Sequence, residues 1–292
     1  MLAASRRRPA VAGYFYPAEP GELRSMIEWA FRHPLGPGRL PEVSGSRRRL
    51  SLGFVAPHAG YMYSGPVAAH VYYRLAVEGA PETVVIAGPN HTGAGSLISV
   101  YKEGVWETPL GEVEIDSELA RAMIENSRFL DPDERAHAYE HSVEVQVPFL
   151  QYLFGSKVRI VPIVILHQTL EVAEDLARAL KRAVEETGRD VVFIASSDFT
   201  HYEPHESAAR KDSIALDAIR RVDPEALMAV VEKYNITMCG PGPVAALLYL
   251  ARMEGVREAE VLRYATSGDV TGERSWVVGY AAVRVPAPEA QG

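Results

Sequence analysis

Six short apolar runs punctuate this chain, and their spacing decides what it can fold into. Residues 50–56, 83–87, 158–166, 191–195, 261–266 and 276–284 are mostly apolar, and many of their residues are β-branched. Several are continuous rather than alternating, which suits strands covered on both faces. Helical patterns lie between them. Thr169 caps a predicted helix through Glu186, with Gly188 just past its end; Asp116 opens another through Asn126. Pro204 to Val222 carries Ile214, Leu216, Ala218 and Ile219 at helical spacing, and Asp223-Pro224 starts a helix that Asn235 closes. Strands alternating with helices predict an α/β domain with a central, mostly parallel or mixed sheet flanked by helices. Ile98 to Tyr101 with Val113 to Ile115 would form a small antiparallel addition. No repeat or Gly/Ser linker interrupts the pattern, so residues 1–285 are expected to be one domain, with 286–292 a frayed tail.

Composition narrows the function classes. The chain has 292 residues and a formal charge of −8, which argues against binding a phosphate backbone. Its concentrated positive runs, Arg6-Arg7-Arg8 and Arg47-Arg48-Arg49, read as a solvated tail and loop. No apolar stretch approaches a membrane span, and no apolar segment follows the N-terminal arginines, so neither a membrane protein nor a secretory signal is expected. The single cysteine, Cys239, excludes an internal disulfide and fits a reducing, cytoplasmic compartment. Scarce asparagine and an excess of arginine over lysine hint at a thermophile, although a GC-rich genome gives the same arginine bias.

The chemistry-bearing residues fall where apolar runs stop. Pro57-His58-Ala59-Gly60, Gly88-Pro89-Asn90-His91 and Ser196-Ser197-Asp198-Phe199-Thr200-His201 each follow a predicted strand, and Met238-Cys239-Gly240-Pro241-Gly242 precedes an apolar helical segment, Val244 to Met253. In an open α/β sheet, ligands collect in the crevice at the carboxyl ends of strands. Two histidines on successive strand ends point to shared metal or acid–base duty, against a bland reading as hydrogen-bonded loop residues. Asp198 can orient His201 or merely cap a turn. Cys239, just before a helix N-terminus, would have its thiol pKa lowered by the helix dipole, unless it is a buried structural cysteine. His141 and Glu144, at a spacing of three, could share a face as support for the site, with Ser142 capping a helix to Phe154. His137, His167 and His205 read as surface or packing residues, and His33 and His70 as helical ones. Walker, His-Glu-x-x-His, Cys-x-x-Cys and Gly-x-Ser-x-Gly patterns are missing.

Taken together, Ala56-Pro-His-Ala-Gly-Tyr-Met-Tyr-Ser-Gly65, Gly88-Pro-Asn-His91, Glu140-His-Ser-Val-Glu144, Ser196-Ser-Asp-Phe-Thr-His-Tyr202 and Met238-Cys-Gly-Pro-Gly-Pro243 resemble the Memo (mediator of cell motility) family. Ala12-Gly-Tyr-Phe-Tyr-Pro17 and Tyr264-Ala-Thr-Ser-Gly-Asp269 extend the likeness across nearly the whole chain. A prokaryotic member would be similar to the AmmeMemoRadiSam system protein B type, and that resemblance implies association with Ammecr-domain and radical-SAM partner proteins. The resemblance also implies a domain similar to the catalytic subunit of class III extradiol dioxygenases, which hold iron(II) with two histidines and a carboxylate. On that likeness His58 and His91 match the histidine ligands, His201 matches the acid–base residue, and Cys239 stands where glutamate would be. Thiolate in place of carboxylate softens such a site, so copper or zinc joins iron as a candidate.

Three functions follow as expectations. The first is a metal-dependent redox enzyme with His58, His91 and Cys239 as ligands and His201 with Asp198 moving protons. The second is a non-enzymatic protein binding a peptide or small anion in the same pocket, with Tyr16, Tyr61 and Tyr63 as walls. The third is a zinc-dependent hydrolase in which His201 activates water.

Overall fold

The computed structural model describes residues 5–288. The chain runs β1 (Arg6–Arg7), α1 (Pro20–Arg32), β2 (Ser51–Ala56), α2 (Tyr61–Glu78), β3 (Thr83–Pro89), β4 (Ile98–Val100), β5 (Val105–Thr108), β6 (Gly111–Glu114), α3 (Ser117–Asn126), β7 (Leu130–Asp131), α4 (Val147–Phe154), β8 (Arg159–Ile165), α5 (Leu170–Thr187), β9 (Val191–Ser196), β10 (His201–Glu203), α6 (His205–Arg220), α7 (Pro224–Lys233), α8 (Pro241–Met253), β11 (Glu260–Thr266), α9 (Ser267–Thr271) and β12 (Val277–Pro286). The main sheet has the order β10-β12-β2-β9-β3-β8-β4-β7, with β11 also paired to β12. Its centre, β2-β9-β3-β8, is parallel, while β12 and β4 join antiparallel on either side. The result is a single α/β domain with a mixed sheet.

Both faces of the parallel strands are buried, and the pleat divides their side chains between two cores. Phe54, Val84, Ile86, Val192 and Ile194 face the layer built with α1, α2 and α4. Val55, Val85, Phe193 and Ala195 face the layer built with α3, α5 and α8. This is why the runs read as uninterrupted apolar sequence. The expected caps are in place: Asp116 accepts from Leu119 N–H, Thr169 from Val172 N–H and Asp223 from Ala226 N–H.

Four local expectations are corrected. Residues 98–100 do not pair with 113–115: β4 joins the main sheet beside β8, and β6 folds back on β5 in a separate sheet with β1. Ser142 does not cap a helix. Its hydroxyl donates to Pro89 O across a contact where a side chain on Gly88 would collide, and α4 begins only at Val147, with Pro148 in the first turn where its missing N–H costs nothing. Arg7 is not solvated: it is buried against the Trp106 ring and ion-paired with Glu144 at 2.6 Å. The tail is paired beyond Val285, because Pro286 ends β12 and Ala287 N–H donates to Leu50 O; residues 289–292 lie outside the described part. Among the described residues, no helix is long and apolar enough to cross a membrane.

Candidate metal centre

Because β2, β9 and β3 are adjacent and parallel, their carboxyl ends open onto one edge of the sheet. β2 delivers His58, β9 delivers Asp198 and β3 delivers His91. After β3, Asn90 Oδ1 accepts the N–H groups of Thr92 and Gly93 at 3.0 Å, a tight turn that holds the His91 segment. Cys239 arrives from the loop before α8. Gly240 lets that loop close on β9, since a Cβ there would lie 2.7 Å from Ser196 O. His201 opens β10, behind a turn in which Asp212 accepts from Thr200 N–H and its hydroxyl. These groups share a cavity of about 460 Å³, completed by Phe15, His141, Tyr202, Thr237 and Val278.

Three imidazoles converge there. A ring nitrogen from each of His58, His91 and His141 lies within 4.8 Å of the others. His141 stacks on His91 at 4.6 Å between centroids, and His58 stands edge-on to both. Cys239 Sγ is outside that trio but 3.2 Å from His58 Nε2, and Asp198 Oδ2 is 3.9 Å from the same nitrogen. His58 Nε2 is therefore the point on which imidazole, sulfur and carboxylate meet.

Hydrogen-bond accounting fixes how the rings are protonated. Ser196 Oγ donates its one proton to Ser142 O at 2.6 Å and accepts from Gln146 Nε2 at 2.8 Å. Its remaining contact, 2.9 Å from His58 Nδ1, must then be a donation from the ring. His58 thus carries its proton on Nδ1 and leaves a lone pair on Nε2. At His91, Nδ1 donates to Glu140 Oε1 at 2.8 Å, and Glu140 also accepts the backbone N–H groups of His91 and Ser142. At His201, Nδ1 donates to Thr237 O at 2.7 Å. In these three rings Nδ1 is held by a protein partner and Nε2 faces the cavity, on the Cys239 sulfur in the case of His58, the arrangement that outer partners impose on histidine ligands and on catalytic bases.

The electrostatics keep His58 and His141 neutral. Burial, reinforced by the charge His91 would carry, pushes the His58 pKa down to about 3; burial likewise lowers His141 to about 4. Burial alone would raise the Glu140 carboxyl, but the bond and charge of His91 and the two N–H donors hold it at about 2. Burial raises the Asp198 carboxyl, although His58 N–H donates to its Oδ1 at 2.8 Å. The expectation of a dipole-lowered Cys239 thiol is overturned: burial and then the Asp198 charge push it well up. A bound cation would reverse that, since a coordinating thiol is deprotonated. Imidazole nitrogens from buried His58, half-buried His141 and exposed His91, with a thiol and a carboxyl beside them, are a donor set that fits a transition metal.

Other candidates are placed elsewhere. Tyr16 and Tyr61 are buried, with their hydroxyls committed to Glu144 and to Val145 O, so neither is a pocket wall. Tyr63 lines a separate groove with Trp29 and Met62. Glu144 shares no face with His141; it accepts from Arg7, Tyr16 and two backbone N–H groups and ties the N-terminal segment to the core. His137 is buried between Tyr101 and Trp106, and His205 meets Thr266 at the start of α6. The orienting residues Glu140, Ser196 and Gln146 were not singled out from sequence. Glu140 beside His141 was the one available signal; nothing local marks Gln146.

A family model described as Memo-like protein matches residues 7–284. A protein of Ignicoccus hospitalis named MEMO1 family protein is 57% identical over 282 residues, covering 97% of this chain and 99% of its own. Relatives of the same name from Aeropyrum pernix, at 55% over 279 residues, and Desulfurococcus amylolyticus, at 53% over 280, each cover 96% of this chain; the share of their own length is 99% and 98%.

Proposed function

This chain belongs to the Memo family, and from that premise we propose that it is a metal-dependent redox enzyme acting on a small molecule. His58, His91 and His141 would hold the ion, with the Cys239 sulfur beside His58 as an anionic fourth donor. Iron(II) is the ion proposed, ahead of copper or zinc. When bound, it would supply a redox-active Lewis-acid centre at which dioxygen, the proposed electron acceptor, and an oxidisable substrate meet. The observation that carries this reading is the convergence on His58 Nε2, a lone pair fixed by the Ser196 bonds and met by a sulfur at 3.2 Å.

The protein's own groups have distinct parts. His201 Nε2, with Nδ1–H anchored on Thr237 O, takes a proton from a substrate hydroxyl. Asp198, its carboxyl raised by burial, holds a second exchangeable proton in the same cavity. Phe15 and Val278 give the cavity an apolar side. The peptide-binding alternative is weakened because Tyr16 and Tyr61 offer no wall.

The test is metal content of anaerobically purified protein, wild type against His58→Ala, His91→Ala and Cys239→Ala. About one iron per chain, depleted in all three variants, together with substrate-dependent oxygen uptake, is the expected result. Protein that binds no metal, or zinc with hydrolysis and no oxygen uptake, would sink the proposal. We also propose a cytoplasmic location and an Ammecr-domain or radical-SAM partner, on the strength of the lone cysteine and the family likeness; failure of either partner to co-purify from the native organism counts against the latter.

A further inference from the structure

We infer that Tyr202 and Trp276 form a stacking platform at the cavity mouth, so that the ligand this centre accepts is a planar aromatic or heteroaromatic ring with a polar substituent reaching His201. The inference rests on the reading of this cavity as the substrate site, but not on which ion it holds.

Three observations meet at Tyr202. Its backbone is left-handed, with φ +60°, a region that bulky side chains avoid and that persists only where the surroundings impose it. It is also the extra residue of a β-bulge. His201 pairs with Val278 and Glu203 with Val277, so Tyr202 has no partner on β12. Bulges beside active sites re-aim a side chain, and here the re-aimed one lines the cavity. Finally, Tyr202 is 58% exposed as a residue, and Trp276, whose ring stacks on it at 5.8 Å and 17°, is 65% exposed.

Two large aromatics stacked on each other in water, one of them on left-handed backbone, call for a reason other than core packing. Tyr202 lines the cavity whereas Trp276 does not, so Trp276 backs the tyrosine ring and holds its plane. His201 lies 5.6 Å from the same ring, roughly perpendicular to it, and lines the same cavity, with Nδ1 committed to Thr237 O. A flat ring stacked on Tyr202 inside this cavity would bring a polar substituent within reach of His201, and a saturated ring of equal size would lose the face-to-face contact.

The experiment uses the full chain without dioxygen, so that nothing turns over. 2-Naphthol is titrated by fluorescence anisotropy, with decahydro-2-naphthol, of similar size and bearing the same hydroxyl, as competitor. Wild type should bind 2-naphthol and prefer it over the saturated alcohol, and Trp276→Ala should weaken binding roughly five- to tenfold. Tyr202→Gly should do the same while leaving the melting temperature unchanged or higher, because glycine adopts a positive φ without strain. Tyr202→Phe should stay within twofold of wild type. Equal affinity for the saturated alcohol, absence of 2-naphthol binding, or an effect under twofold in both Trp276→Ala and Tyr202→Gly would overturn the inference. Iron content of the same samples separates the two claims: naphthol binding that depends on the platform in iron-free protein removes the redox reading and leaves this one standing.

Discussion

Replacing Ser196 with alanine should release His58 from its tautomer. Ser196 is fully buried and its hydroxyl makes three bonds: from His58 Nδ1, from Gln146 Nε2 and to Ser142 O. Gln146 keeps one amide N–H on Pro57 O at 2.9 Å, so the groups left unpaired are its second N–H, the His58 Nδ1–H and the Ser142 carbonyl. Each buried unpaired group costs about 1–3 kcal/mol, so the variant should lose at least about 3 kcal/mol in urea unfolding. Moving the ring proton to Nε2 would relieve part of that cost, but it would occupy the lone pair that faces Cys239. Metal affinity should then fall roughly 10- to 100-fold, as for other changes to partners of a ligating histidine. Long-range ¹H–¹⁵N correlation on metal-free protein reads the tautomer directly, and competition for zinc reads the affinity. Ser196→Thr keeps the hydroxyl and adds a methyl to a packed site. It should lose stability by overpacking yet retain the Nδ1–H tautomer. A wild-type His58 protonated on Nε2, or zinc affinity unchanged in Ser196→Ala, would refute the reasoning.

Other consequences follow from neighbouring contacts. Glu140→Gln sets an amide N–H against donors that a carboxylate now accepts, at His91 and Ser142; it should destabilise by about 2–4 kcal/mol in urea and weaken zinc binding at least tenfold. Arg7→Ala leaves Glu144 charged and buried, and should cost about 3–5 kcal/mol, read by chemical denaturation. His137 makes the metal-free protein acid-sensitive. Burial, then the Arg7 charge, hold its pKa at about 3 against an ordinary 6.5, so between those values the unfolded chain binds a proton that the folded one refuses, and stability falls as pH drops. Between pH 7 and 4.5, His137→Phe should lose about 2.5 kcal/mol less than wild type by urea titration; equal losses would show that this ring is not the source.

The parallel core was legible because buried strands leave unbroken apolar runs, and the strand-end histidines because each run stops at a Gly or Pro next to them. His58 and His91 could be paired from sequence once adjacent strand ends were assumed. The position of His141 could not be read in the same way. It lies between a carboxylate and a short 3-10 turn, where neither helical nor strand periodicity says which way a side chain points. Its neighbour Glu144 was misread for a related reason: its partner, Arg7, is 137 residues away and sits in a run of arginines that looks solvated. The Cys239 pKa was misjudged because sequence shows the approaching helix N-terminus but not the depth of burial or the nearby Asp198 carboxyl, which act in the opposite direction. Tyr202 carried no signal either, since a bulge is a property of two strands read together.

The most direct test of the account is X-ray absorption at the metal edge of anaerobically purified protein. The expected spectrum is that of an iron centre with imidazole nitrogen and sulfur in its shell, the sulfur contribution vanishing in Cys239→Ala and one nitrogen in His141→Ala. An ion with neither sulfur nor imidazole in its shell, or protein in which no ion can be found, would contradict it.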